Sequence, residues 1–551
     1  MIDKRVFITV LVCLGIMLFW NLVVAPPKKP APPTAQSASQ PATKAPLANV
    51  PASSPAVAAA AAASQPVAPA LPEQKEAIDT PLMHVELSSY GAAITHVTLK
   101  EYKEGGKRRG EQKHPVSLLG EPAGERVDGA SVLLGGAPMI FSSMSKSERG
   151  VDFQYKQGSL EGHARWAFAE HDYLLALDVE LKNTGASETT VSPALRLAGL
   201  FDEKTLKDKS MFEPPPDLIA PAAYIDGQLY KHAHGENDDP PTGKPLAWAG
   251  IDKQYFLLAA APEQTLIVGA DFDEQRARTG SSFVSMSATL AAPETKLAPG
   301  QTLTQHFKVY AGPKASAFLK RPNKELEEAI DYKVWFMPLG FLSRPMLWIL
   351  NQAYGIFHSY GIAILILTLI VKLLLLPVTQ KSFMSMQVMR DLKPDLDKIK
   401  ARFPDDREKQ GLETMRLYKE RGVNPFLSGC LPALLQMPVY FALWRTLWAA
   451  VELYQQEFLW LGDLTAKDPF YILPLLLGGV MFVQQKLSPP AGDPQQQKIM
   501  LYMMPPLMTL FMVGLPSGLV FYIFVNTILT ILQQAYINRK FGKKTALTPA
   551  T

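Results

Sequence analysis

The sequence predicts a mixed protein, in which a large all-β domain is joined to a polytopic α-helical membrane part. The chain has 551 residues, which is too long for a single core. Hydrophobic residues make up 47% of it and charged residues 19%, with a mean hydropathy of +0.02. This balance indicates apolar runs of membrane length beside ordinary polar stretches. A region of alternating polar and apolar residues separates the first such run from the others.

Composition excludes several classes of function. A net charge of +4 gives no charge-based case for direct nucleic-acid binding. Both cysteines, Cys13 and Cys430, lie in apolar runs, so neither a disulfide scaffold nor a metal cluster is expected. The sequence has no zinc-ligand spacing, no P-loop and no HExxH motif. We therefore expect no metal and no cofactor.

The N-terminal segments are predicted to be an anchor and a tether. Residues 1–25 contain a 20-residue apolar run, which as a helix spans about 30 Å. A cleaved signal peptide is the alternative, but its apolar region is usually about 7–15 residues long. Residues 26–79 form an Ala/Pro-rich tether, since 27 of the 45 residues from 26 to 70 are Ala or Pro. Such a composition buries too little apolar area to fold.

Residues 80–323 are predicted to form one all-β sandwich domain. The run 173–181 places four apolar side chains on one face and acidic side chains on the other. The apolar members are Leu175, Leu177, Val179 and Leu181. Clusters of Gly, Pro, Asn and Asp separate this run from others like it, as turns separate antiparallel strands.

The remainder of the chain is predicted to be helical and largely membrane-spanning. Mixed charge followed by aromatic residues indicates an interfacial helix, and five apolar segments follow it. With the N-terminal anchor these give six transmembrane helices. The predicted segments are an interfacial amphipathic helix at 324–345, transmembrane helix 2 at 346–377, a helical hairpin at 378–425, transmembrane helices 3–6 at 426–537, and a basic tail at 538–551.

Charge in the connections predicts the orientation. The connection 378–425 carries eleven Lys and Arg, whereas 450–469 carries one and the tail carries four. By the positive-inside rule the hairpin and both termini are cytoplasmic, and the β domain lies outside. In a double-membraned bacterium this places the protein in the inner membrane, with the β domain and the tether in the periplasm.

Lys372 is the first candidate site residue. It lies in the apolar run 367–377 and shares a helix face with Thr368. A charge at the centre of a membrane helix costs roughly 2.5–3.5 kcal/mol, so a retained lysine points to function. A snorkelling lysine is the alternative, because Pro377 is only roughly 7.5 Å further along the helix.

Two other predicted spans present polar stripes of their own. The candidate residues are Tyr522, Asn526 and Thr530 in the last span, and Gln436 and Tyr440, with Met437 beside them, in the third. Hydrogen bonds between helices would explain any one of these side chains alone. Polar groups on three spans at similar depth predict a shared hydrated cavity. Arg445 lies about opposite Gln436, and we interpret it as a headgroup anchor.

The hairpin offers a possible contact surface. Met386, Met389 and Met415 would give its helices an adaptable apolar face suited to varied partners. Charges of both signs cover the rest, so a solvated connector is the alternative.

Four motifs make the C-terminal portion recognisable. They are "YKERGVNPFLSGCLPALLQMP" (418–438), "DPFYILPLLLGGVMFVQQKLSP" (468–489), "DPQQQKIM" (493–500) and "LPSGLVFYIFVN" (515–526). In this order they closely resemble the YidC membrane protein insertases. The resemblance covers the chain from about residue 330. The anchor, tether and external β domain are similar in architecture to the Gram-negative form of that family.

The resemblance implies a function and a role for Lys372. It implies a five-helix core that inserts newly made membrane proteins, without covalent chemistry, through a hydrated groove. The family carries a positive residue there, usually Arg, and Lys372 occupies that position. Lysine keeps the charge but lacks the planar fork that binds a carboxylate at two points. The resemblance also implies partners: nascent membrane proteins, the lipid bilayer, the Sec translocon, ribosomes and the signal-recognition machinery.

Two other classes remain as alternatives at this stage. A secondary transporter would also place polar residues at mid-membrane, but such proteins usually show paired repeats, and none is found here. A carbohydrate-processing enzyme could reside in the β domain. Its candidate histidines have no recognisable catalytic spacing: His84, His96, His163 and His171.

Overall fold

The computed structural model of the chain describes most of the residues from 71 onward. The predicted tether at 26–79 is wrong at its end, because Lys75–Asp79 is already a strand of the β domain. The described ranges are 71–105, 111–119, 127–204, 219–232, 234–235, 240–263, 269–276, 281–334, 337–404, 406–421, 431–487 and 494–541. The predicted anchor at 1–25 and the tail from 542 onward lie outside them.

The strands come first in the described chain. They are β1 Lys75–Asp79, β2 Met83–Ser88, β3 Ala93–Glu104, β4 His114–Ser117, β5 Ala130–Leu134, β6 Ala137–Pro138, β7 Ser143–Ser147, β8 Gly150–Gln157, β9 Leu160–Phe168, β10 Leu174–Asn183, β11 Thr189–Val191, β12 Pro193–Asp202, β13 Ile219–Ile225, β14 Gln228–Lys231, β15 Leu246–Lys253, β16 Phe256–Pro262, β17 Gly269–Arg276, β18 Phe283–Ala291, β19 Thr295–Leu297, β20 Thr302–Pro313, β21 Lys333–Val334 and β22 Met337–Pro338.

The helices follow the main strands. They are α1 Ser316–Leu319, α2 Gly340–Phe357, α3 Tyr360–Asp391, α4 Lys393–Arg402, α5 Arg407–Glu420, α6 Leu431–Ala449, α7 Ile472–Leu487, α8 Pro494–Met512 and α9 Ser517–Phe541, with short 3-10 helices at Lys324–Ala329 and Val451–Leu453.

Two antiparallel sheets share one core, as predicted. Over the described residues the first sheet has the order β1-β2-β3-β5-β12-β18-β17, with β4 paired to β3 and β6 to β5. The second has the order β14-β13-β15-β16-β20-β10-β9-β8-β7. Side chains of both sheets form a single buried cluster, and the Trp166 indole N–H donates to the carbonyl of Ala92 across it at 2.7 Å.

The alternation in β10 confirms the predicted faces. Four apolar side chains of this strand are buried in the core: Leu175, Leu177, Val179 and Leu181. Between them, Asp178 and Glu180 face outward and are only partly buried. Period-2 patterning therefore fixed this strand's orientation correctly.

The predicted interfacial helix at 324–345 is wrong in its limits. Lys324–Ala329 is a 3-10 helix, and the α-helix α2 begins only at Gly340. Pro338 supplies no N–H and restricts the residue before it, so a helix does not run through this position. The helix α2 buries Met346 and Leu350 on one side and exposes Trp348 on another. An interfacial position for this part of the chain stays a prediction.

Transmembrane helix 2 is also displaced from its predicted limits of 346–377. The left-handed backbone of His358, with a φ of 50°, ends α2, and a new helix starts at Tyr360. This helix, α3, runs for 32 residues through Pro377 to Asp391. The first arm of the predicted hairpin is therefore the continuation of α3 beyond Pro377 together with α4.

The two arms of the hairpin turn between α4 and α5, after Arg402 and before Arg407. Asp406 lies at the start of α5, and its carboxylate accepts from the backbone N–H of Lys409 at 3.1 Å. This N-terminal cap satisfies one of the free N–H groups of the helix.

Two described helical stretches are long and apolar enough to cross a membrane, namely Tyr360–Pro377 and Ser517–Ile537. Shorter apolar stretches lie at Ile472–Leu487 and Lys498–Met512. The large β domain and the helical C-terminal part are thus confirmed. The count of six spans stays a prediction, and the apolar run 6–25 lies outside the described residues.

The helices pack closely around a second buried core. Side chains from α2, α3, α6, α7 and α9 meet in it. At one contact, a Cβ added to Gly478 of α7 would collide with the Thr509 hydroxyl of α8. This core fixes the relative positions of α3, α6 and α9, which carry the candidate site.

Candidate functional site

Lys372 lies half-buried on α3 and turns towards α9. Its ammonium donates to the Thr530 hydroxyl oxygen at 2.6 Å and to the Asn526 side-chain oxygen at 3.4 Å. Both acceptors are neutral. Within the described part of the chain, no carboxylate forms an ion pair with Lys372. Its positive charge is therefore not cancelled by a neighbouring negative one.

Asn526 joins this lysine to a third helix. Its side chain is buried, and its amide N–H donates to the Tyr440 hydroxyl of α6 at 2.8 Å. The Thr530 hydroxyl in turn donates to the backbone carbonyl of Asn526 at 2.6 Å. The bonds that orient both acceptors thus leave oxygen lone pairs directed at Lys372.

A second contact between α6 and α9 lies beside this one. The Gln436 amide donates to the Tyr522 hydroxyl at 3.2 Å. The rings of Tyr440 and Tyr522 meet edge to face, with centroids 5.9 Å apart. We call the six residues of α3, α6 and α9 the polar network: Lys372, Asn526, Thr530, Tyr440, Gln436 and Tyr522.

Two predicted site residues lie apart from the polar network. The Thr368 side chain is buried, and its hydroxyl donates to the Ile364 carbonyl of its own helix at 2.6 Å. Met437 is 47% exposed on α6. Neither contacts Lys372 by a described hydrogen bond. The structure therefore brings six of the eight predicted groove residues together, as two hydrogen-bonded groups joined by the contact between the Tyr440 and Tyr522 rings.

The predicted set omits one further contact between α3 and α9. The Gln533 amide donates to the Thr379 hydroxyl at 2.9 Å, about two turns from Lys372. Both residues continue the stripes of their helices at helical spacing, so the pattern that identified the others also points to them.

Arg445 is not the predicted headgroup anchor. Its guanidinium pairs with the Asp331 carboxylate at 2.9 Å, and both side chains are mostly buried. Asp331 lies far away in the sequence, between the β domain and α2. The arginine therefore joins the C-terminal end of α6 to the segment that leads from the β domain into α2.

The predicted hairpin contacts are described only in part. Met415 is 62% exposed on α5, as a contact surface requires. The side chains of Met386 and Met389 lie outside the described residues. Substrate contact at these methionines stays a prediction.

The candidate histidines of the β domain do not assemble into a site. His84 and His96 face each other on β2 and β3, with ring centroids 6.4 Å apart. His163 pairs with Glu180 and His171 with Glu170, each at the domain surface. Over the described residues, no group of three or more His, Cys, Asp or Glu could hold a metal ion.

Fold and site together define a protein with a large β domain, apolar helices of membrane length, and a lysine among those helices that has no ion-pair partner within the described residues. Comparison with known families makes the class specific. The family model described as "YidC periplasmic domain" matches residues 76–349, and the one described as "60Kd inner membrane protein" matches residues 352–544.

Curated relatives match over nearly the whole chain. The membrane protein insertase YidC of Anaeromyxobacter dehalogenans (strain 2CP-C) is 34% identical, covering 100% of this chain and 99% of its own. That of Syntrophus aciditrophicus (strain SB) is 32% identical, covering 98% and 100%. The chain belongs to the YidC family of membrane protein insertases, which are inner-membrane proteins with a periplasmic domain.

Solved structures add similarity but no further argument. A crystal structure of an active YidC insertase with its first transmembrane domain resolved is 18% identical, covers 84% of this chain and 92% of that one, and has a TM-score of 0.37. A galactose mutarotase related enzyme from Lactobacillus acidophilus is 10% identical, covers 43% of this chain and 97% of its own, and has a TM-score of 0.28. The family assignment sets aside both the transporter and the enzyme alternatives.

Proposed function

We propose that this insertase lowers the barrier to membrane insertion by presenting the Lys372 ammonium to acidic or polar segments of its substrates part-way across the bilayer. The observation that carries the proposal is the environment of Lys372. Its ammonium is held by two neutral oxygens, and no described carboxylate pairs with it. The charge is thus free to attract a substrate's negative group.

The attraction between the two charges is large enough to offset the cost of moving a carboxylate into the membrane. A carboxylate at the bilayer centre costs roughly 2.5–3.5 kcal/mol on insertion scales. Two unit charges 4 Å apart attract by about 4 kcal/mol at an effective dielectric of 20, compared with about 1 kcal/mol in bulk water. One partly hydrated lysine can therefore offset most of the cost of passing one acidic residue.

Two other members of the polar network, Gln436 and Tyr522, serve the passing backbone. Peptide groups in hydrocarbon must have hydrogen-bond partners, which is why polar loops cross a membrane slowly. The Gln436 amide and the Tyr522 hydroxyl offer such partners beside the lysine, together with any water in a hydrated groove. The substrate's apolar segment then leaves sideways into lipid, for which no partner is needed.

The hydrogen bonds of Lys372 argue against the snorkelling alternative. A snorkelling side chain extends along its own helix towards the headgroups. This ammonium instead reaches across to α9 and bonds to Thr530 there. Its position supports an interior role.

Substitutions of Lys372 test the proposal in reconstituted vesicles. Lys372→Arg should keep insertion, because the charge is kept at similar length. Lys372→Ala should slow insertion of a substrate with an acidic translocated segment by about tenfold, the factor that corresponds to about 1.4 kcal/mol of barrier. A substrate with a neutral segment serves as the control and should change little. Equal rates for wild type and Lys372→Ala on both substrates would make the lysine an anchor.

The arrangement of six spans with both termini in the cytoplasm is also part of the proposal. It is supported by the eleven Lys and Arg of the connection 378–425. A cysteine introduced at Gly411 should react with an impermeant thiol reagent only from the cytoplasmic side. A cysteine introduced at Gly227, in the β domain, should react only from the periplasmic side. The opposite pattern would overturn the orientation.

The partners follow from the family rather than from the geometry. Nascent membrane proteins are the substrates that an insertase requires. The Sec translocon, ribosomes and the signal-recognition machinery are proposed on the resemblance alone. Site-specific crosslinking in native membranes would test them, and failure to recover any of the three would leave an insertase that acts alone.

A further inference from the structure

The Asn526 side chain is hydrogen-bonded to two neighbouring helices at once. Its amide nitrogen is bonded to Tyr440 of α6, and its amide oxygen faces Lys372 of α3. The side chain is 6% exposed, so water has little access to replace either bond. The oxygen faces the ammonium because the nitrogen is engaged on the other side.

We infer that Tyr440 is a positioning residue for Lys372. Its hydroxyl fixes the orientation of the Asn526 amide. The amide oxygen and the Thr530 hydroxyl then hold the ammonium towards the interior, with one N–H left for a substrate acceptor. The inference deepens the proposed function and rests on it. It assigns Tyr440 a role through Asn526 rather than through contact with the substrate.

Donor arithmetic supports the spare N–H. A lysine ammonium has three N–H donors and no acceptor. Two of them bond to Thr530 and Asn526, at 2.6 and 3.4 Å. The third has no partner among the described residues. A single carboxylate or carbonyl oxygen of a passing segment could therefore bind to Lys372 without displacing Thr530 or Asn526.

Loss of the Tyr440 hydroxyl should release this arrangement. An asparagine amide presents an oxygen on one side and an NH2 group on the other. Without the Tyr440 hydroxyl as acceptor, the amide is no longer held in one orientation, and a rotation that turns its oxygen away breaks the bond to the ammonium. Lys372 would then lose one of its two hydrogen-bond acceptors and extend more freely along its own helix.

Tyr522 supplies a matched control on the same pair of helices. Its ring packs against that of Tyr440, and its hydroxyl is also hydrogen-bonded, at 3.2 Å to Gln436. It has no described bond to Asn526 or Lys372. Tyr440→Phe and Tyr522→Phe therefore each remove one hydroxyl and its bond between α6 and α9. Only Tyr440→Phe affects Asn526, which accepts a hydrogen bond from the lysine.

The test measures insertion rates of an acidic and a neutral substrate by the full-length protein in vesicles. Tyr440→Phe should slow the acidic substrate by roughly fivefold, the effect of about one hydrogen bond, and leave the neutral one unchanged. Tyr522→Phe should affect both substrates alike or neither. In a Lys372→Ala background, Tyr440→Phe should add nothing, because its effect passes through the lysine.

A second variant keeps the inference testable if Tyr440→Phe fails to fold. Asn526→Asp places a carboxylate beside the ammonium, and should reproduce the substrate-selective loss of Lys372→Ala while the neutral substrate still inserts. Three outcomes would overturn the inference: wild-type rates for Tyr440→Phe, equal losses on both substrates, or a further loss of the acidic substrate in the Lys372→Ala background. If Lys372→Ala itself has no effect, the proposed function fails and the inference fails with it. If only Tyr440→Phe is silent, the inference alone fails.

Discussion

The β domain and the helical part each bury a lysine, and they treat its charge in opposite ways. Lys314, at the end of the β domain, is mostly buried and donates to the Asp252 carboxylate at 2.6 Å. Lys231 donates to the other oxygen of the same carboxylate, also at 2.6 Å. Within the described part of the chain, Lys372 among the helices donates only to the neutral oxygens of Asn526 and Thr530.

The pairing changes what each charge can do. Burial alone would raise the pKa of the Asp252 carboxyl, but Lys231 and Lys314 outweigh that effect and hold the pKa below its ordinary value of 3.8. The carboxylate is thus kept charged, and both ammonium groups are bonded to it. The cluster keeps one positive charge in excess, but each ammonium is held against a carboxylate oxygen, and the cluster therefore contributes to structure. Among the described residues Lys372 has no carboxylate partner, so its charge is available in the space that a substrate would enter.

The largest effect should come from breaking the pair in the β domain. Asp252→Ala leaves two lysines without their carboxylate, one of them well buried. Removing one partner of a buried ion pair typically costs about 3–5 kcal/mol. Thermal unfolding of the purified protein in detergent should therefore show a clearly destabilised β domain.

A surface pair provides the control for that experiment. His306 and Asp178 lie 2.6 Å apart on β20 and β10, but both are well exposed. Asp178→Ala should cost at most about 1 kcal/mol, as exposed pairs usually do. Similar losses for the two variants would mean that burial of the Asp252 pair is not what makes it structural.

A smaller effect should come from Glu452, a buried carboxyl that lacks a lysine. It follows α6 in the 3-10 helix Val451–Leu453, and within the described residues its Oε2 atom has no hydrogen-bond partner. Burial raises the pKa of the Glu452 carboxyl above its ordinary value of 4.5, and a hydrogen bond with Asn351 only partly opposes this. As pH rises above 4.5 the unfolded chain ionises first, so the stability of the folded state falls.

Glu452→Gln should remove that pH dependence. At pH 8 the variant should be more stable than wild type by about 1 kcal/mol, the lower end of the cost of an unsatisfied buried polar group. At pH 5 the two should be closer in unfolding temperature. The exposed Glu294 gives the control, because Glu294→Gln should shift stability by the same small amount at both pH values. If the stability gained by Glu452→Gln over wild type is no larger at pH 8 than at pH 5, ionisation of Glu452 does not destabilise the folded state.

The sequence predicted faces better than it predicted contacts between helices. The alternation of Leu175, Leu177 and Val179 was enough to orient β10, because side-chain direction in a strand is a local property. Stripes at helical spacing likewise identified Lys372, Asn526 and Tyr440 separately. That these three stripes meet depends on how α3, α6 and α9 pack, and a single sequence carries no signal for that packing.

The errors have the same physical origin. Arg445 looked like a headgroup anchor because its partner, Asp331, lies 114 residues away along the chain. The interfacial helix was placed too early because mixed charge at 324–329 suits a helix, whereas Pro338 and the left-handed His358 decide where α2 can begin and end. The family itself was predictable, since long motifs in a fixed order are specific.

Reversing the charge of the lysine and of the substrate together separates a role of the Lys372 charge from a structural role. Lys372 is proposed to act on substrates through its charge, which is weakly screened where hydration is incomplete. In vesicles, Lys372→Glu should insert a substrate with an acidic translocated segment more slowly than Lys372→Ala does. The same variant should regain rate on a matched substrate in which the acidic residues are replaced by lysine, and wild type should be slower on that substrate. If Lys372→Glu slows both substrates equally, the lysine acts through structure and not through its charge, and the account is contradicted.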